Sequence, residues 1–585
     1  MFYQMIVLGS IVLVAFFCYS NSLHGSFIFD DITSIIHNDA IYDLGNLSRI
    51  WESGHLRFIA NLSFALNYAI GRLDTTGYHL FNLVVHILTT VTVFWFVRLI
   101  LKSPTLKSEK IASSLSLPLV VALIFLVHPI QTQAVTYITQ RTASLAALFY
   151  IVTLALYAKS AYILQVSDKP INKNYKLLLV YGTSLITTLC ALFTKENTFI
   201  LPLTLLLFYF YFLRSTGKAK TLSLLVIPYF LITLSIYFWA FNIFGGGIKA
   251  IGNLSSGVTH LQVSRLSYTL TQFNVVRTYI RLLVLPINQN LDYDFPISHS
   301  FDLPIILSLL LIISLIITAL FLVKKNRLVS FGILFFFLNL LIESFIIPLE
   351  DVIFEHRLYI PSVGFFLAAS ALFYSLLYYI GSKLKISYLF AVFTILTIIS
   401  LSFATRARNE VWQSSLTLWS DVVQKSPNKE RAHFGLGMAY LEHGKTKDAE
   451  KEFLRAIELN PLFLPPYNNL AILYHGQGKI DLAVNSYQRG LAWDSKSTLL
   501  RNALGVLLAK QEKYGEAIAE FEKVLEQDAK NAQAFNNMGV VWVHQRKLDK
   551  AQQAFDQALA IDPNYEKARQ NSELLKKNGY GVSYQ

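Results

Sequence analysis

Cysteine and charged residues are both scarce in this sequence. Two of the 585 residues are cysteine, Cys18 and Cys190, so neither a disulfide framework nor a cysteine-based metal site is expected. Charged residues make up only 15% of the chain, whereas 54% of the residues are hydrophobic. Together with a mean hydropathy of +0.45, this composition excludes an ordinary soluble protein.

Long uncharged runs fill much of the first 404 residues. Runs of about 17 to 25 apolar residues are long enough to cross a bilayer as helices. We predict eleven membrane spans, at 3–20, 79–101, 115–127, 142–163, 177–194, 197–213, 222–243, 303–323, 329–347, 359–380 and 386–403. The first run has no positive charge before it and no small-residue cleavage site after it, so we interpret it as a membrane anchor.

The chain becomes polar near residue 405, and a period of 34 residues begins there. Small residues and aromatic residues recur at two fixed positions of this period. The small residues are Gly437, Ala471, Gly505 and Gly539, and the aromatic residues are Phe453, Tyr487, Phe521 and Phe555. This pattern resembles the tetratricopeptide repeat, in which small residues let two helices cross closely and the aromatic ring fills the gap between repeats. Repeats of this kind bind peptides or partner domains and rarely do chemistry.

The sequence therefore predicts an all-α protein built from a polytopic membrane helix bundle and an α-solenoid. We place the boundaries at 1–404 for the transmembrane domain, 405–427 for a junction with a partial repeat helix, 428–563 for four repeats, and 564–585 for a capping helix and tail.

Basic residues indicate the orientation of the bundle. Sixteen of the 26 Lys and Arg residues before residue 405 fall in five short segments, at 98–110, 159–176, 214–220, 324–327 and 383–385. Such residues collect on cytoplasmic loops. The five segments share one side only if 274–287 does not cross, which suits a re-entrant or interfacial helix. The N-terminus is then cytoplasmic, and the repeats are extracytoplasmic.

Acidic residues collect on the opposite side, in short loops beside the lipid. Ionisable groups there are costly and usually mark a functional site. The outer segments are FIFDD (27–31), HPIQTQAVTYITQR (128–141), TKEN (194–197), LPINQNLDYDFP (285–296) and PLEDVIFEHRLYIPS (348–362). We predict that all five converge on one site. A carboxylate base beside guanidinium groups suits transfer from a phosphate-activated donor, and acid pairs such as Asp30–Asp31 leave a divalent metal open.

The joint order of these segments, followed by the repeats, resembles the transmembrane and tetratricopeptide repeat-containing family and its prokaryotic relatives across essentially the whole chain. The resemblance implies a GT-C membrane fold and an inverting glycosyltransferase that uses a polyprenyl-phosphate sugar. Eukaryotic members are protein O-mannosyltransferases of the lumen. The short loops favour a prokaryotic source, and hence the cell (inner) membrane rather than the endoplasmic reticulum.

The resemblance also assigns roles to residues. Asp30 or Asp31 would be the base that takes the acceptor proton, and the other would orient the acceptor or a cation. Donor and phosphate binding would fall to Arg357, His356, Arg141 and Lys195. The rest of the pocket would be formed by Glu196, Asp292, Asp294 and Glu355. No cofactor is assigned, and a divalent metal is the alternative that the acids leave open.

Two other classes of function stay open from the sequence. One is a membrane-anchored repeat scaffold without enzymatic activity, and the other is a polymerase or ligase of lipid-linked polysaccharide. The expected partners of the enzyme are a polyprenyl-phosphate sugar, a protein or glycan acceptor, a protein bound by the repeats, and membrane lipid. No nucleic acid partner is expected.

Overall fold

The structure is a computed structural model that describes residues 2–106, 114, 116–167, 170, 173–214, 217–243, 264–349, 351–384 and 388–578. Within these residues the chain is helical and contains no strand, as the sequence predicts. The backbone divides into two compact units, residues 1–421 and residues 422–585. Residues 115, 386–387 and 579–585, which belong to two predicted spans and the predicted tail, lie outside the described residues.

The first unit consists of α-helices joined by short 3-10 and π-helical turns. Its helices are α1 (Phe2–Tyr19), α2 (Leu47–Gly54), α3 (Phe58–Gly71), α4 (Thr75–Leu101), α5 (Leu117–Val127), α6 (Thr132–Val135), α7 (Arg141–Val166), α8 (Tyr175–Leu192), α9 (Leu201–Phe212), α10 (Ala219–Leu224), α11 (Ile227–Ile243), α12 (Arg265–Val284), α13 (Leu303–Leu322), α14 (Arg327–Leu341), α15 (Pro361–Leu384), α16 (Leu389–Val411) and α17 (Ser415–Lys425), whose last turn belongs to the second unit.

Several helices begin where a side chain satisfies a free backbone N–H. The side chain of Asp74 accepts from Thr76 N at the start of α4, and Asn174 accepts from Leu177 N at the start of α8. Asp302 caps α13 in the same way. These residues follow the usual preference of Asp and Asn for the position before a helix. The cap therefore gives Asp302 a structural explanation.

Nine helical segments among the described residues are long and apolar enough to cross a membrane. They correspond to nine of the eleven predicted spans, and the chain is a multi-pass membrane protein. The other two are shorter than predicted. The 115–127 run forms α5, which is followed after His128 by a helical segment bent by 54°, because Pro129 cannot continue the helix. The 197–213 run forms α9 after a 3-10 turn at Glu196–Ile200.

Helix α12 contains most of the segment predicted to be re-entrant or interfacial. It begins at Arg265, nine residues before the predicted start, and it is not among the segments apolar enough to cross. That α12 does not span the bilayer stays a prediction.

Close backbone contact joins α14 to α15. A methyl group placed on Gly364 would lie 2.6 Å from the carbonyl oxygen of Gly332 and 2.7 Å from the Phe335 ring. Small residues at such crossings let membrane helices pack backbone to backbone. The α14–α15 pair therefore depends on both glycines.

The second unit is a succession of helix pairs. Its helices are α18 (Glu430–Glu442), α19 (Thr446–Leu459), α20 (Pro465–Gly476), α21 (Ile480–Trp493), α22 (Thr498–Lys510), α23 (Tyr514–Gln527), α24 (Ala532–His544), α25 (Leu548–Ile561) and α26 (Glu566–Asn578). A methyl group on Gly505 would lie 2.5 Å from the Phe521 ring, and one on Gly539 would lie 2.5 Å from Phe555. The periodic small and aromatic residues therefore meet as the repeat pattern predicts.

Candidate functional site

The outer segments meet on one face of the first unit. Within it, the backbone N–H of His356 donates to Gln133 Oε1 at 2.7 Å, which joins 348–362 to 128–141. The side chain of Gln289 donates to the Pro129 carbonyl at 3.0 Å, which joins 285–296 to the same loop. The 128–141 loop thus lies at the centre of the set.

Asp31 fastens the first outer loop to this central loop. It is completely buried. Its Oδ1 accepts from the backbone N–H of Thr139 at 2.8 Å and from the Thr139 hydroxyl, and its Oδ2 accepts from Ile28 N at 3.1 Å. Burial raises the pKa of Asp31 to about 7, although its hydrogen bonds from Thr139 and Ile28 oppose the shift. Both oxygens are therefore engaged by protein groups.

Asp30 is the partly exposed member of the pair. Its backbone N–H donates to the Tyr137 hydroxyl at 2.9 Å. Burial, followed by the charges of Asp30 and Asp31, holds the pKa of Tyr137 well above its usual value. Phe29, just before Asp30, has φ +51°, a conformation that side chains other than glycine rarely adopt and that occurs at functional sites. The strained turn presents Asp30 and encloses Asp31.

The 194–197 segment joins the site through two ion pairs. Lys195 Nζ lies 2.8 Å from Glu343 Oε1, with both side chains about 95% buried. Glu196 Oε1 lies 3.4 Å from Arg57 Nη2. The Lys195 pair joins 194–197 to the turn after α14. The Glu196 pair joins it to the first outer loop, as Ile59 N does by donating to the Phe193 carbonyl at 3.0 Å.

A polar cavity of about 440 Å³ opens beside this second pair. Thr33, His37, Arg57 and Glu196 are among its lining residues. Thr33 Oγ1 also donates to the carbonyl of Asp30 at 3.2 Å, so the cavity begins one turn after the acidic pair. The sequence interpretation did not single out Arg57, because it is one isolated cation in a long outer loop, and no local motif identifies it.

Arg141 lies inside the bundle. Its guanidinium donates to Asn82 Oδ1 at 2.6 Å, to the Ser63 carbonyl at 3.1 Å and to the Tyr78 carbonyl at 3.0 Å, and the residue is fully buried. All three guanidinium nitrogens are used by the protein. This arrangement favours a structural role for Arg141, which is therefore not part of the proposed donor site.

Arg357 and His356 are also enclosed. Arg357 donates to the carbonyls of Val352 at 3.1 Å and Asp351 at 2.6 Å, and only 3% of the residue is exposed. Burial, aided by the nearby charges of Lys195 and Arg357, holds the pKa of His356 well below its usual value, so the imidazole is neutral. A neutral imidazole offers a phosphate one N–H and no charge.

Glu355 organises the 285–296 loop. Its carboxylate accepts from Tyr293 Oη at 2.6 Å, Asn290 N at 2.8 Å and Gln289 Nε2 at 2.7 Å. Burial raises the pKa of Glu355, although Arg408 and these donors oppose the shift. In the same loop Asp292 is buried and Asp294 is exposed, and their place in the pocket stays a prediction.

The sequence left metal binding open as an alternative role for acidic pairs such as Asp30–Asp31. Within the ranges that the structure describes, no group of three or more His, Cys, Asp or Glu side chains comes close enough to hold a metal ion. Asp31 directs both oxygens to protein donors instead.

Family models for the tetratricopeptide repeat match residues 430–463, 452–485 and 502–566. A protein O-mannosyl-transferase of Caenorhabditis elegans is 25% identical over 466 residues, which cover 76% of this chain and 61% of that protein. The human protein O-mannosyl-transferase TMTC1 is 24% identical over 515 residues, which cover 78% of this chain and 55% of that protein. The chain thus spans less than two thirds of the length of these relatives.

Among solved structures, the tetratricopeptide repeat protein YrrB is 24% identical and covers 30% of this chain and 90% of its own, with a TM-score of 0.25, which supports no structural conclusion. The sequence comparisons agree with the fold, which places apolar spanning helices before helix pairs of the repeat type. This chain is a multi-pass membrane protein with tetratricopeptide repeats, similar to the protein O-mannosyl-transferases of the transmembrane and tetratricopeptide repeat-containing family.

Proposed function

We propose that the protein is a GT-C-type inverting glycosyltransferase. It moves a sugar from a polyprenyl-phosphate donor to an acceptor hydroxyl, of protein Ser or Thr, on the extracytoplasmic side of the membrane. The observation that carries the proposal is the position of Asp30, on a strained turn that contacts the central 128–141 loop through Tyr137. Relatives named as protein O-mannosyl-transferases support the same reaction class.

Asp30 is the proposed general base. The acceptor oxygen attacks the anomeric carbon of the sugar and forms the new glycosidic bond, while its proton passes to the Asp30 carboxylate. The bond between the anomeric carbon and the phosphate oxygen breaks, and polyprenyl phosphate leaves with the electron pair. Asp31 is a positioning residue, because its oxygens already accept from Thr139 and Ile28 and it fixes the turn that carries Asp30.

The cations near the site, buried Lys195 and Arg357 and partly exposed Arg57, supply positive potential for an anionic donor. Lys195 and Arg57 are paired with carboxylates, and Arg357 is bonded to backbone carbonyls. We propose that they offset the negative charges of the site rather than contact the phosphate directly. The polar cavity beside Glu196, one turn after Asp30, is the proposed place for the sugar or the acceptor segment.

The orientation follows the basic loops. We propose a cytoplasmic N-terminus, in the inner membrane of a prokaryote or, in a eukaryote, in the endoplasmic reticulum, so that Asp30 and the repeats share the outer or lumenal side. The repeats would then capture an extended acceptor segment or a partner protein and deliver it to the membrane site.

Glycan mass spectrometry tests the proposal directly. Membrane and envelope proteins are compared between cells with the wild-type gene, cells without it, and cells that carry Asp30→Asn at equal protein level. We expect hexose-modified Ser or Thr peptides only with the wild-type gene. Equal modification in all three strains would reject the enzyme and favour the membrane-anchored scaffold.

A further inference from the structure

The outer end of α16 carries a buried arginine with unused donors. Only 7% of Arg408 is exposed. One guanidinium nitrogen, Nη1, lies 2.8 Å from Asp421 Oδ2. The other two, Nε and Nη2, have no hydrogen-bond partner among the described residues. Leaving a buried charged donor unsatisfied is expensive, so such a group in a native protein calls for an explanation.

A second unused donor lies on the same helix end. Trp412 is 2% exposed, and its indole Nε1 also has no partner among the residues that the structure describes. The guanidinium carbon of Arg408 lies 5.8 Å from the centre of the Trp412 ring. Because Arg408 and Trp412 are four residues apart, they occupy one face at the end of α16. Three donor nitrogens, Nε and Nη2 of Arg408 and Nε1 of Trp412, thus lie near one another without an acceptor among the described residues.

This place is continuous with the proposed base. The Trp412 ring lies 5.4 Å from the Tyr137 ring, and the Tyr137 hydroxyl accepts the backbone N–H of Asp30. Phe29 packs its edge against Trp419 at 5.6 Å on the same side. The unused donors and the carboxylate of Asp30 therefore lie beside the same group of aromatic side chains, namely Phe29, Tyr137, Trp412 and Trp419.

The donor groups of Arg408 and Trp412 indicate what kind of ligand can bind them. Guanidinium and indole N–H groups donate and cannot accept. Their ligand must present several acceptor oxygens, and a guanidinium fork matches two oxygens of a phosphate. A sugar hydroxyl would need acceptors as well as donors. Arg408 follows the last predicted span, 386–403, by about five residues, so that predicted span would place it near the lipid headgroups, where a lipid-linked phosphate resides.

We propose that Arg408 and Trp412 bind the phosphodiester of the polyprenyl-phosphate donor beside Asp30. The assignment rests on the proposed function and deepens it, because it names the phosphate anchor of that site. In the transfer step, Arg408 stabilises the negative charge that the departing phosphate gains. The anchor is therefore Arg408 rather than Arg357 or Arg141, whose donors are taken up by protein carbonyls and amides.

Binding of sugar-free polyprenyl phosphate to the purified full chain in detergent tests the assignment without requiring transfer. Affinity is measured by native mass spectrometry for the wild type, Arg408→Gln, Trp412→Phe and the control Arg406→Gln. Arg406 lies on the same helix but donates to the Phe17 carbonyl. We expect about 10- to 100-fold weaker binding for Arg408→Gln, a smaller loss for Trp412→Phe, and wild-type binding for the control.

The possible results distinguish failure of the proposed phosphate contact from failure of the proposed sugar transfer. Unchanged affinity in Arg408→Gln would overturn the assignment even if sugar transfer is normal. If that variant does not fold, because its pairing with Asp421 is lost, unchanged affinity in Trp412→Phe would overturn it instead. Displacement of polyprenyl phosphate by equimolar phosphatidylglycerol would assign the site to membrane phospholipid and contradict a donor site. Selective loss of binding in a protein that transfers no sugar would support the anchor and reject only the proposed reaction.

Discussion

Asp31 gives the stability of the protein a specific dependence on pH. Burial raises its pKa from 3.8 to about 7 in the folded protein. Between these values the unfolded chain has lost the proton that the folded protein keeps, so unfolding releases a proton and rising pH favours it. The contribution of protonated Asp31 is complete below about pH 4 and is lost as the pH rises to about 7. Its size is about 4 kcal/mol at roughly 1.4 kcal/mol for each pKa unit.

Thermal unfolding of the wild type and Asp31→Asn in detergent, from pH 4 to pH 8, measures this contribution. Asparagine does not titrate, so the stability of the wild type should fall relative to the variant between pH 4 and pH 7 and then level off. Parallel curves for the two proteins across this range would contradict the buried, shifted carboxyl.

Individual site residues differ in how far the sequence predicts them. The acidic pair is visible as FDD after an apolar run, and its proximity to the 128–141 loop follows from topology. The difference between partly exposed Asp30 and buried Asp31 is not visible in the sequence. It depends on the turn at Phe29 and on Thr139, which lies 108 residues away from Asp31. Arg141 and Arg357 look like phosphate ligands in sequence, yet their partners are carbonyl oxygens of distant helices or nearby turns.

The crossing of α14 and α15 leaves no room for a side chain on Gly364. We expect Gly364→Ala to destabilise the protein by about 1–3 kcal/mol, because its methyl group would meet the Gly332 carbonyl at 2.6 Å in a packed interface. The matched control is Gly182→Ala in α8, where a methyl group would meet nothing within 4 Å. The control should be neutral or slightly stabilising, because alanine favours helix over glycine.

Thermal unfolding of both variants beside the wild type gives the comparison. Equal stability of Gly364→Ala and Gly182→Ala would mean that the two helices do not approach as closely as described.

Among the helices, hydropathy predicts where a helix forms better than where it ends. Nine of the predicted apolar runs form helices long enough to span, because a long apolar run is all that this outcome requires. The break after α5 depends on Pro129 and on His128, whose Nδ1 accepts from Ile130 N at 3.2 Å. That local bond ends the helix and starts the central loop, and composition does not reveal it. The repeats were predictable because a small residue must lie against the aromatic ring of its repeat, as Gly437, Gly505 and Gly539 do.

The whole molecule has a predicted topology that labelling tests. Single cysteines are introduced at Lys102, Lys325 and Ser300 in a chain in which Cys18 and Cys190 are replaced, and all three positions are exposed. A membrane-impermeant maleimide added from outside should label position 300 and leave 102 and 325 unlabelled, because Lys and Arg mark the cytoplasmic loops. Labelling of 102 or 325 in place of 300 would invert the orientation and move the proposed site to the cytoplasm.

The central claim, a transferase with Asp30 as its base, is tested most directly by single-turnover transfer from a polyprenyl-phosphate sugar in reconstituted vesicles. Asp30→Asn keeps the shape of the side chain and removes the proton acceptor. General-base catalysis contributes about 10²- to 10⁴-fold, so the rate should fall by that factor while donor binding persists. Asp31→Asn should retain more activity, because Asp31 positions the turn and does not take the proton. A wild-type rate for Asp30→Asn would contradict the account.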